Sequence, residues 1–562
     1  MSRAEPAAAP ATPRSRAWWV WLFAAVVVAV WFGTLDARHL LRSDEGRYAE
    51  IAREMFVSGD WVTIRYNGLK YFEKPPFHLW MTVLAYHAFG VGDWQARLWV
   101  AASGAIGTLA MVLAARRWFG ARVGWLTALV LIAAPSWNLG AHFNSLDMSV
   151  SGALACVLAA FMLAQHPDAS AADRRRWMWA AWAAMAVATL TKGLIGFVLP
   201  GLVLVLYTLL ARDWSVWRRL HLVTGSLLIL ALAAPWFVLI SLRNPEFPQF
   251  FFIHEHWDRY TSTIHHRMEP WWYFVPQLVG GFLPWIGLTP RVLGLLRADA
   301  GRAGFRPLWW LATWAAAIFV FFSLSDSKLP GYILPVFPAL AVLAALALDR
   351  LDRRAWNRQL LVALIVALAA LAASPLVARL GNEGTPNVLY RHYMPWIAAA
   401  CALAVIGILA ARRLARGDDR LPSIAAFSLA IFGAVTIGLA GHETLGRSIS
   451  GVDLVAPIKA WLKPGMPIYS VRLLDHTLPF YLRHTTIMVE APDELAFGVR
   501  QEPDKWIPTL AGFEKVWTSG APALAIMSHD TYAKLVADRL PMFAVAEDTR
   551  RVVVANFARP SP

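Results

Sequence analysis

The amino-acid sequence predicts an all-α polytopic membrane protein with a small C-terminal α/β domain. Hydrophobic residues make up 58% of the 562 positions and charged residues only 16%, which leaves too little polar surface for a water-soluble protein of this length. Apolar runs of roughly 20 residues, the length that crosses a bilayer as a helix, recur up to about residue 441. We therefore divide the chain into a membrane domain, residues 1–445, and a C-terminal domain, residues 446–562.

About thirteen membrane-spanning helices are expected. Arginine clusters lie between the apolar runs, and the positive-inside rule then places the N-terminus in the cytoplasm. An odd number of spans puts the C-terminal domain on the outer face, together with a long first loop at about residues 36–93. The spans are placed near residues 17–35, 94–115, 121–139, 147–165, 177–191, 194–211, 221–241, 272–290, 307–324, 331–348, 358–377, 394–411 and 422–441.

The net charge of +15 does not indicate a nucleic-acid partner, because much of the excess lies in these short clusters facing the membrane lipids. Residues 77–90 are apolar but short for a span, and we interpret them as a helix at the outer interface. In the C-terminal domain, β-rich runs predict four strands, at residues 466–471, 486–489, 524–527 and 551–557.

The first loop is the leading candidate for an active site. Residues 41–76 read LRSDEGRYAEIAREMFVSGDWVTIRYNGLKYFEKPP, and ionisable groups beside a bilayer are costly unless they are paired, wet or used in chemistry. A plainer interpretation is open for Asp44, which could cap a surface helix. Glu73 and Lys74 could likewise be an ordinary surface pair. The candidates in this loop are Asp44, Glu45, Arg47, Tyr71, Glu73 and Lys74.

Other outer loops add polar residues that a helical bundle could bring to the same cavity. Lys and Arg bind phosphate groups, and a carboxylate beside them can accept a proton or pair with a cationic substrate. Asp147 begins an apolar span without a nearby cation in sequence, whereas Lys192 could instead extend to the interface. The candidates are Asp147, Lys192, His254, His256, Arg259, Lys328 and Tyr332.

A divalent metal such as zinc is one option for this cavity. His254 and His256 lie two residues apart and could bind it together with Glu73. Histidines at membrane interfaces more often have no metal, so no cofactor is expected to be required.

The first-loop sequence, together with SLDMSV at residues 145–150, TKG at 191–193 and KLPGYILP at 328–335, resembles the lipid-A aminoarabinose transferases. These are integral-membrane glycosyltransferases of the GT-C type, related to protein O-mannosyltransferases. The resemblance implies transfer of 4-amino-4-deoxy-L-arabinose from undecaprenyl phosphate to a lipid A phosphate. The reaction would occur at the periplasmic face of a Gram-negative inner membrane and would give resistance to polymyxin and other cationic antimicrobial peptides.

The resemblance also implies roles for the candidates. Asp44 corresponds to the usual catalytic carboxylate of the first outer loop, and Asp147 would be a second. Because the acceptor phosphate is already ionised near neutral pH, Asp44 could instead orient the acceptor or hold the sugar ammonium. Glu45, Tyr71 and Glu73 would contact the substrate. The phosphate would be held by Arg47, Lys74, Lys192, Arg259, Lys328 and Tyr332.

Two other functions remain open at this point. One is a transferase that uses another polyprenyl-phosphate sugar, with a protein or glycan as acceptor. The other is a flippase or transporter of the lipid carrier, which should place ionisable groups near the bilayer midplane. Asp147 and Lys192 instead lie at the ends of predicted spans, which favours catalysis at one face.

Overall fold

The computed structural model describes residues 17–258, 269–301 and 304–558. Its helices confirm the predicted fold class. The helices are α1 Ala17–Gly33, α2 Asp44–Ser58, α3 Phe77–Phe89, α4 Asp93–Phe119, α5 Ala121–Ile132, α6 Pro135–Ala141, α7 Leu146–Ala164, α8 Ala171–Lys192, α9 Ile195–Ala211, α10 Leu222–Arg243, α11 Phe274–Gly281, α12 Thr289–Asp299, α13 Pro307–Leu324, α14 Phe337–Asp349, α15 Arg353–Ala373, α16 Asn387–Leu414, α17 Leu421–Gly441, α18 Glu443–Ser450, α19 Val455–Lys459, α20 Leu478–Leu482, α21 Ala496–Gln501, α22 Leu510–Trp517 and α23 His529–Ala537.

Eight helices in the described part of the chain are long and apolar enough to cross a membrane, or ten if each of two bent pairs is one span. The bent pairs are α5 with α6, at 69°, and α11 with the segment Ile286–Asp299, at 96°. Helices α1 and α9 are apolar but shorter. All thirteen predicted spans coincide with helices or bent pairs, while the number that cross the membrane and their orientation stay predictions.

Helix α2 is the longer of the two helices in the first loop. Asp44 and Glu45 occupy its first turn, where negative charge interacts favourably with the helix dipole. The Ser43 side chain makes no capping hydrogen bond, and Gly59 ends the helix with a φ of 68°, a left-handed conformation that glycine adopts without strain. Helix α3 has 13 residues, so it is about 20 Å long and too short to cross the hydrocarbon core.

The C-terminal domain contains one five-stranded sheet. Strands β1 Arg65–Tyr66 and β2 Leu69–Lys70 form a hairpin in the first loop, and the sheet consists of β3 Ile468–Val471, β4 Ile487–Val489, β5 Leu524–Met527, β6 Phe543–Glu547 and β7 Val552–Ala555. Its order is β4-β3-β5-β7-β6, with β4, β3 and β5 parallel and β7 and β6 antiparallel. The four predicted strands are present. The sequence analysis missed β6, a largely exposed edge strand without the continuous apolar pattern of the others.

The C-terminal domain packs directly on the first loop. A Cβ atom on Gly46 of α2 would lie 2.3 Å from the backbone oxygen of His476, and one on Gly498 would lie 2.7 Å from that of Lys70. Both contacts therefore require glycine. The Asn67 side chain donates to the Thr486 carbonyl oxygen at 2.7 Å and accepts from the Thr486 N–H at 2.6 Å. These contacts hold the C-terminal domain against α2 and the β1-β2 hairpin.

Candidate active site

A cavity of about 520 Å³ lies where α2, the end of the first loop, α7, α8 and the C-terminal domain meet. Asp44 and Arg47 come from the first turn of α2, Asp147 from the first turn of α7, and Lys192 is the last residue of α8. These four charged side chains therefore lie near helix ends, as the sequence predicted for Asp147 and Lys192. The ionisable lining residues, tyrosines included, are Asp44, Glu73, Asp147, Glu255, Asp493, Glu494, Arg47, Lys74, Lys192, Arg500, His254, Tyr48 and Tyr332.

Arg47 connects α2 to the C-terminal domain. Its Nη2 lies 2.9 Å from Oε2 of Glu494 and 3.6 Å from Oδ1 of Asp44, one helical turn away. Its Nη1 lies 3.5 Å from the hydroxyl of Tyr71. Because the Arg47 side chain is 8% exposed while facing the cavity, its charge acts in a partly desolvated setting. Tyr71 itself is buried behind Arg47 and does not line the cavity.

The Lys74 ammonium lies between a carboxylate and a backbone carbonyl oxygen. Its Nζ lies 3.1 Å from Oε2 of Glu255, in the π-helix Gln249–Asp258, and 2.8 Å from the backbone oxygen of Glu73. The Glu73 carboxylate lies further away, at 3.8 Å. The Glu73-Lys74 step is thus an inward-facing part of the cavity rather than a solvated turn.

Lys192 donates a hydrogen bond to Asp147, and its Nζ also lies 4.5 Å from the centre of the Tyr332 ring. Asp147 can lie this close to residue 331 because that residue is glycine: a Cβ atom on Gly331 would lie 2.2 Å from Oδ2 of Asp147. The three residues that the sequence analysis took from separate outer loops are therefore in contact.

Three predicted site residues have other surroundings. Glu45 is fully buried and accepts hydrogen bonds from Arg38, from Arg97 at 2.8 Å and from the backbone N–H of Asn144 at 3.0 Å. Burial alone would raise the pKa of Glu45, but the two guanidinium groups lower it to about 2. Glu45 therefore supports the loop from behind and does not line the cavity.

Lys328 is also buried away from the cavity lining. Its Nζ donates to the backbone oxygens of Ser325 at 2.5 Å and Glu269 at 2.9 Å. Tyr71, as described above, contacts Arg47 from behind. Arg259 and the side chain of His256 lie outside the described residues, so their predicted roles stay predictions.

Glu73 and His254, two of the three predicted metal ligands, line the same cavity. Within the described residues, no group of three His, Cys, Asp or Glu side chains is close enough together to hold a metal ion. The side chain of His256, the third predicted ligand, lies outside the described residues. The option of a divalent metal therefore stays a prediction.

The C-terminal domain contributes residues that the sequence analysis missed. Asp493, Glu494 and Arg500 line the cavity, and the Phe497 ring lies 4.0 Å from that of Phe250. Glu255, which lines the cavity from the π-helix of the membrane domain, was not among the predicted site residues either. No sequence pattern marked Glu494 as functional, because its position depends on how the C-terminal domain packs on α2.

A bundle of apolar helices with a cavity of paired cations and carboxylates at their ends defines the class: an integral-membrane enzyme suited to a phosphate-bearing substrate. Comparison with known proteins gives the family. Residues 454–556 match the family model described as aminoarabinose transferase C-terminal domain. Residues 73–239 match the model described as dolichyl-phosphate-mannose-protein mannosyltransferase.

The chain is 56% identical to ArnT from Cupriavidus metallidurans, whose crystal structure was solved bound to undecaprenyl phosphate. That match covers 97% of this chain and 99% of the other, with a TM-score of 0.93. Two undecaprenyl phosphate-alpha-4-amino-4-deoxy-L-arabinose arabinosyl transferases are each 31% identical. The one from Erwinia tasmaniensis is matched over 57% of this chain and 58% of its own length, and the one from Edwardsiella ictaluri over 65% and 67%. The chain belongs to the aminoarabinose transferase family of GT-C membrane glycosyltransferases.

Proposed function

We propose that this protein transfers 4-amino-4-deoxy-L-arabinose from undecaprenyl phosphate to a lipid A phosphate at the periplasmic face of the inner membrane. The observation that carries the proposal is the pair Arg47 and Lys74, which present two cations to one cavity in a chain so similar to a transferase solved with undecaprenyl phosphate. Adding a cationic sugar would reduce the negative charge of the outer membrane and weaken binding of polymyxin.

Arg47 and Lys74 suit the donor phosphate. Each is paired with a carboxylate, Arg47 with Glu494 and Lys74 with Glu255, so each is held in place before substrate arrives. A phosphate oxygen can take the place of a carboxylate on the same cation. When the bond between sugar C1 and the donor phosphate oxygen breaks, that oxygen keeps the electron pair, and the two cations stabilise the departing anion.

The new bond forms between sugar C1 and an oxygen of the acceptor phosphate. That oxygen is already ionised near neutral pH, so the reaction does not depend on a strong base. Asp44 faces the cavity beside Arg47, with its side chain 29% exposed, where it can orient the acceptor or the sugar. Asp147 on α7 and Lys192 on α8 form a third charged pair, which can position the acceptor phosphate.

Reconstitution tests this proposal. The purified protein, in vesicles with the undecaprenyl-phosphate donor and lipid A, should produce modified lipid A detectable by mass spectrometry. Asp44→Asn should abolish transfer, whereas Asp36→Asn, which changes an exposed carboxylate of the same loop outside the cavity, should not. Absence of transfer by the unaltered protein would refute the proposed reaction. Near-normal transfer by Asp44→Asn would remove Asp44 from the mechanism.

A further inference from the structure

Three of the four described lysine and arginine side chains that line the cavity already form ion pairs with carboxylates. Three ion pairs cross it: Arg47 with Glu494, Lys74 with Glu255 and Lys192 with Asp147. Three more carboxylates, those of Asp44, Glu73 and Asp493, line the same space. An entering phosphate therefore adds negative charge to a cavity that is already rich in carboxylates.

Glu494 is the member of these pairs that comes from the C-terminal domain. It follows Asp493 in the turn before α21, and its side chain is 18% exposed. Besides Arg47, its carboxylate lies 3.5 Å from Nδ1 of His476. Burial raises the pKa of Glu494 to about 7; Arg47 opposes this rise, while Glu73 and other nearby carboxylates add to it. Arg47 is therefore the contact that favours the ionised form of the Glu494 carboxylate.

The proposed donor carries two opposite charges, a phosphodiester anion and a sugar ammonium. We propose that Glu494 selects the charged sugar: the donor phosphate replaces Glu494 on Arg47, and the released carboxylate then pairs with the sugar ammonium. One internal ion pair is exchanged for two pairs with substrate, so charge in the cavity stays balanced. This inference rests on the proposed function and adds to it the group that recognises the amine.

A donor with a neutral sugar cannot complete this exchange. Its phosphate would displace Glu494 from Arg47 and leave the carboxylate without that ion pair, close to Asp493 and Glu73. The carboxylate must then either stay ionised without a partner or take up a proton, because removing Arg47 would raise its pKa further, and neither state has the attraction that an ammonium would supply. The same interaction that accepts an amino sugar therefore opposes a sugar bearing a hydroxyl at that position.

A different role for Glu494 is to hold Arg47 in position and nothing more. The two roles differ in what a substitution does. If Glu494 only positions Arg47, Glu494→Gln should weaken binding of undecaprenyl phosphate, which has no sugar. If Glu494 binds the ammonium, the same substitution should leave that binding unchanged or tighten it, because the competing carboxylate is gone.

The experiment compares two donors that differ in one group, 4-amino-4-deoxy-L-arabinose and L-arabinose, each linked to undecaprenyl phosphate. For unaltered protein, Glu494→Gln and Glu490→Gln, kcat/KM is measured with both donors and binding with undecaprenyl phosphate alone. Glu490 is the matched control, since its carboxylate is paired with Arg472 at 2.8 Å in the same domain but outside the cavity. In Glu494→Gln we expect the preference for the amino donor to fall by about tenfold or more, with Glu490→Gln unchanged.

Each outcome has one meaning. An unchanged preference in Glu494→Gln, or a parallel loss with both donors and with undecaprenyl phosphate, overturns the selection role. Failure of the unaltered protein to transfer from either donor instead refutes the proposed function. Thermal unfolding of each variant verifies that the folded protein is being compared.

Discussion

The ammonium of Lys192 donates a hydrogen bond to the carboxylate of Asp147, joining the last residue of α8 to the first turn of α7. The two side chains are 14% and 13% exposed and both line the cavity. The Tyr332 ring lies against the ammonium on another side. Each charge is therefore stabilised mainly by the other, and the two should behave as a unit.

Substitutions at this pair should be strongly non-additive. Asp147→Asn and Lys192→Gln should each lower the transfer rate by about 100-fold, and the double variant should be no worse than the more damaging single variant. Single-turnover transfer by the two single variants and the double variant measures the coupling. Losses that multiply in the double variant would show that the two residues act independently.

Gly331 offers a test that leaves both charged residues in place. A Cβ atom at this position would meet the Asp147 carboxylate, so Gly331→Ala should push the carboxylate from Lys192 and lower transfer by about tenfold. Gly287→Ala is the matched control, because a Cβ there meets nothing within 4 Å. Equal transfer by the two variants would mean that Asp147 need not stay on Lys192.

Glu45 should matter for stability rather than for chemistry. Glu45→Gln leaves Arg38 and Arg97 buried without their carboxylate, and breaking a buried pair in this way costs about 3–5 kcal/mol. The variant should unfold at lower temperature in detergent, and a matched substitution at the exposed Asp36 should not. If Glu45→Gln folds with unchanged stability but loses transfer, Glu45 takes part in substrate binding or chemistry.

The lowered pKa of Glu45 also sets a pH window. A folded-state pKa of about 2 against an ordinary value of 4.5 means that ionised Glu45 stabilises the folded state by about 3 kcal/mol. This stabilisation is complete above about pH 4.5 and is lost as the pH falls toward 2. Unfolding measured from pH 7 to pH 3 should show a smaller acid effect in Glu45→Gln than in the unaltered protein.

Local sequence was enough to predict most of the charged residues that the membrane domain contributes to the cavity, although not Glu255. Asp44, Arg47 and Lys74 lie in one short loop, and Asp147 and Lys192 are isolated charges at span ends, where desolvation makes an unpaired charge costly. Glu45 shows the limit of this reasoning. Adjacent residues on a helix point about 100° apart, and Glu45 faces inward to partners that only tertiary packing brings near it.

The part of the cavity that comes from the C-terminal domain could not be predicted. Glu494 reaches Arg47 because Gly46 and Gly498 allow backbone of the two regions to come within contact distance. Nothing in the sequence around either glycine indicates which backbone segment it will contact. The composition of residues 446–562 predicts a sheet, and four of its five strands, without indicating which edge meets the first loop.

Treatment with a chelator distinguishes a transferase that requires a divalent metal from one that does not. Because Arg47 and Lys74 can supply the positive charge at the phosphate, transfer should be unchanged after treatment with EDTA. The measurement is the transfer rate before and after chelation, with metal content determined on the same samples. A loss that added zinc restores would instead show that transfer requires a metal, for which Glu73 and His254, which line the cavity, are candidate ligands.

The pH dependence of donor use should report Glu494. Since only the ionised carboxylate can pair with an ammonium, kcat/KM for the amino donor, measured at saturating acceptor, should rise with pH through about 7, where burial and nearby carboxylates hold the pKa of Glu494. The charged groups facing Glu494 are Arg47, Asp44, Glu73 and Asp493, whereas the imidazole of His476 is neutral here because burial and the nearby Arg47 lower its pKa to about 3.

Comparison with Glu494→Gln isolates this titration. The acceptor phosphate also ionises near neutral pH, but its contribution is common to both proteins, so the difference between the two profiles belongs to Glu494. The L-arabinose donor should show no such difference, because it has no ammonium to pair. If the inflection persists unchanged in Glu494→Gln, another group titrates there and the carboxylate of Glu494 does not meet the sugar.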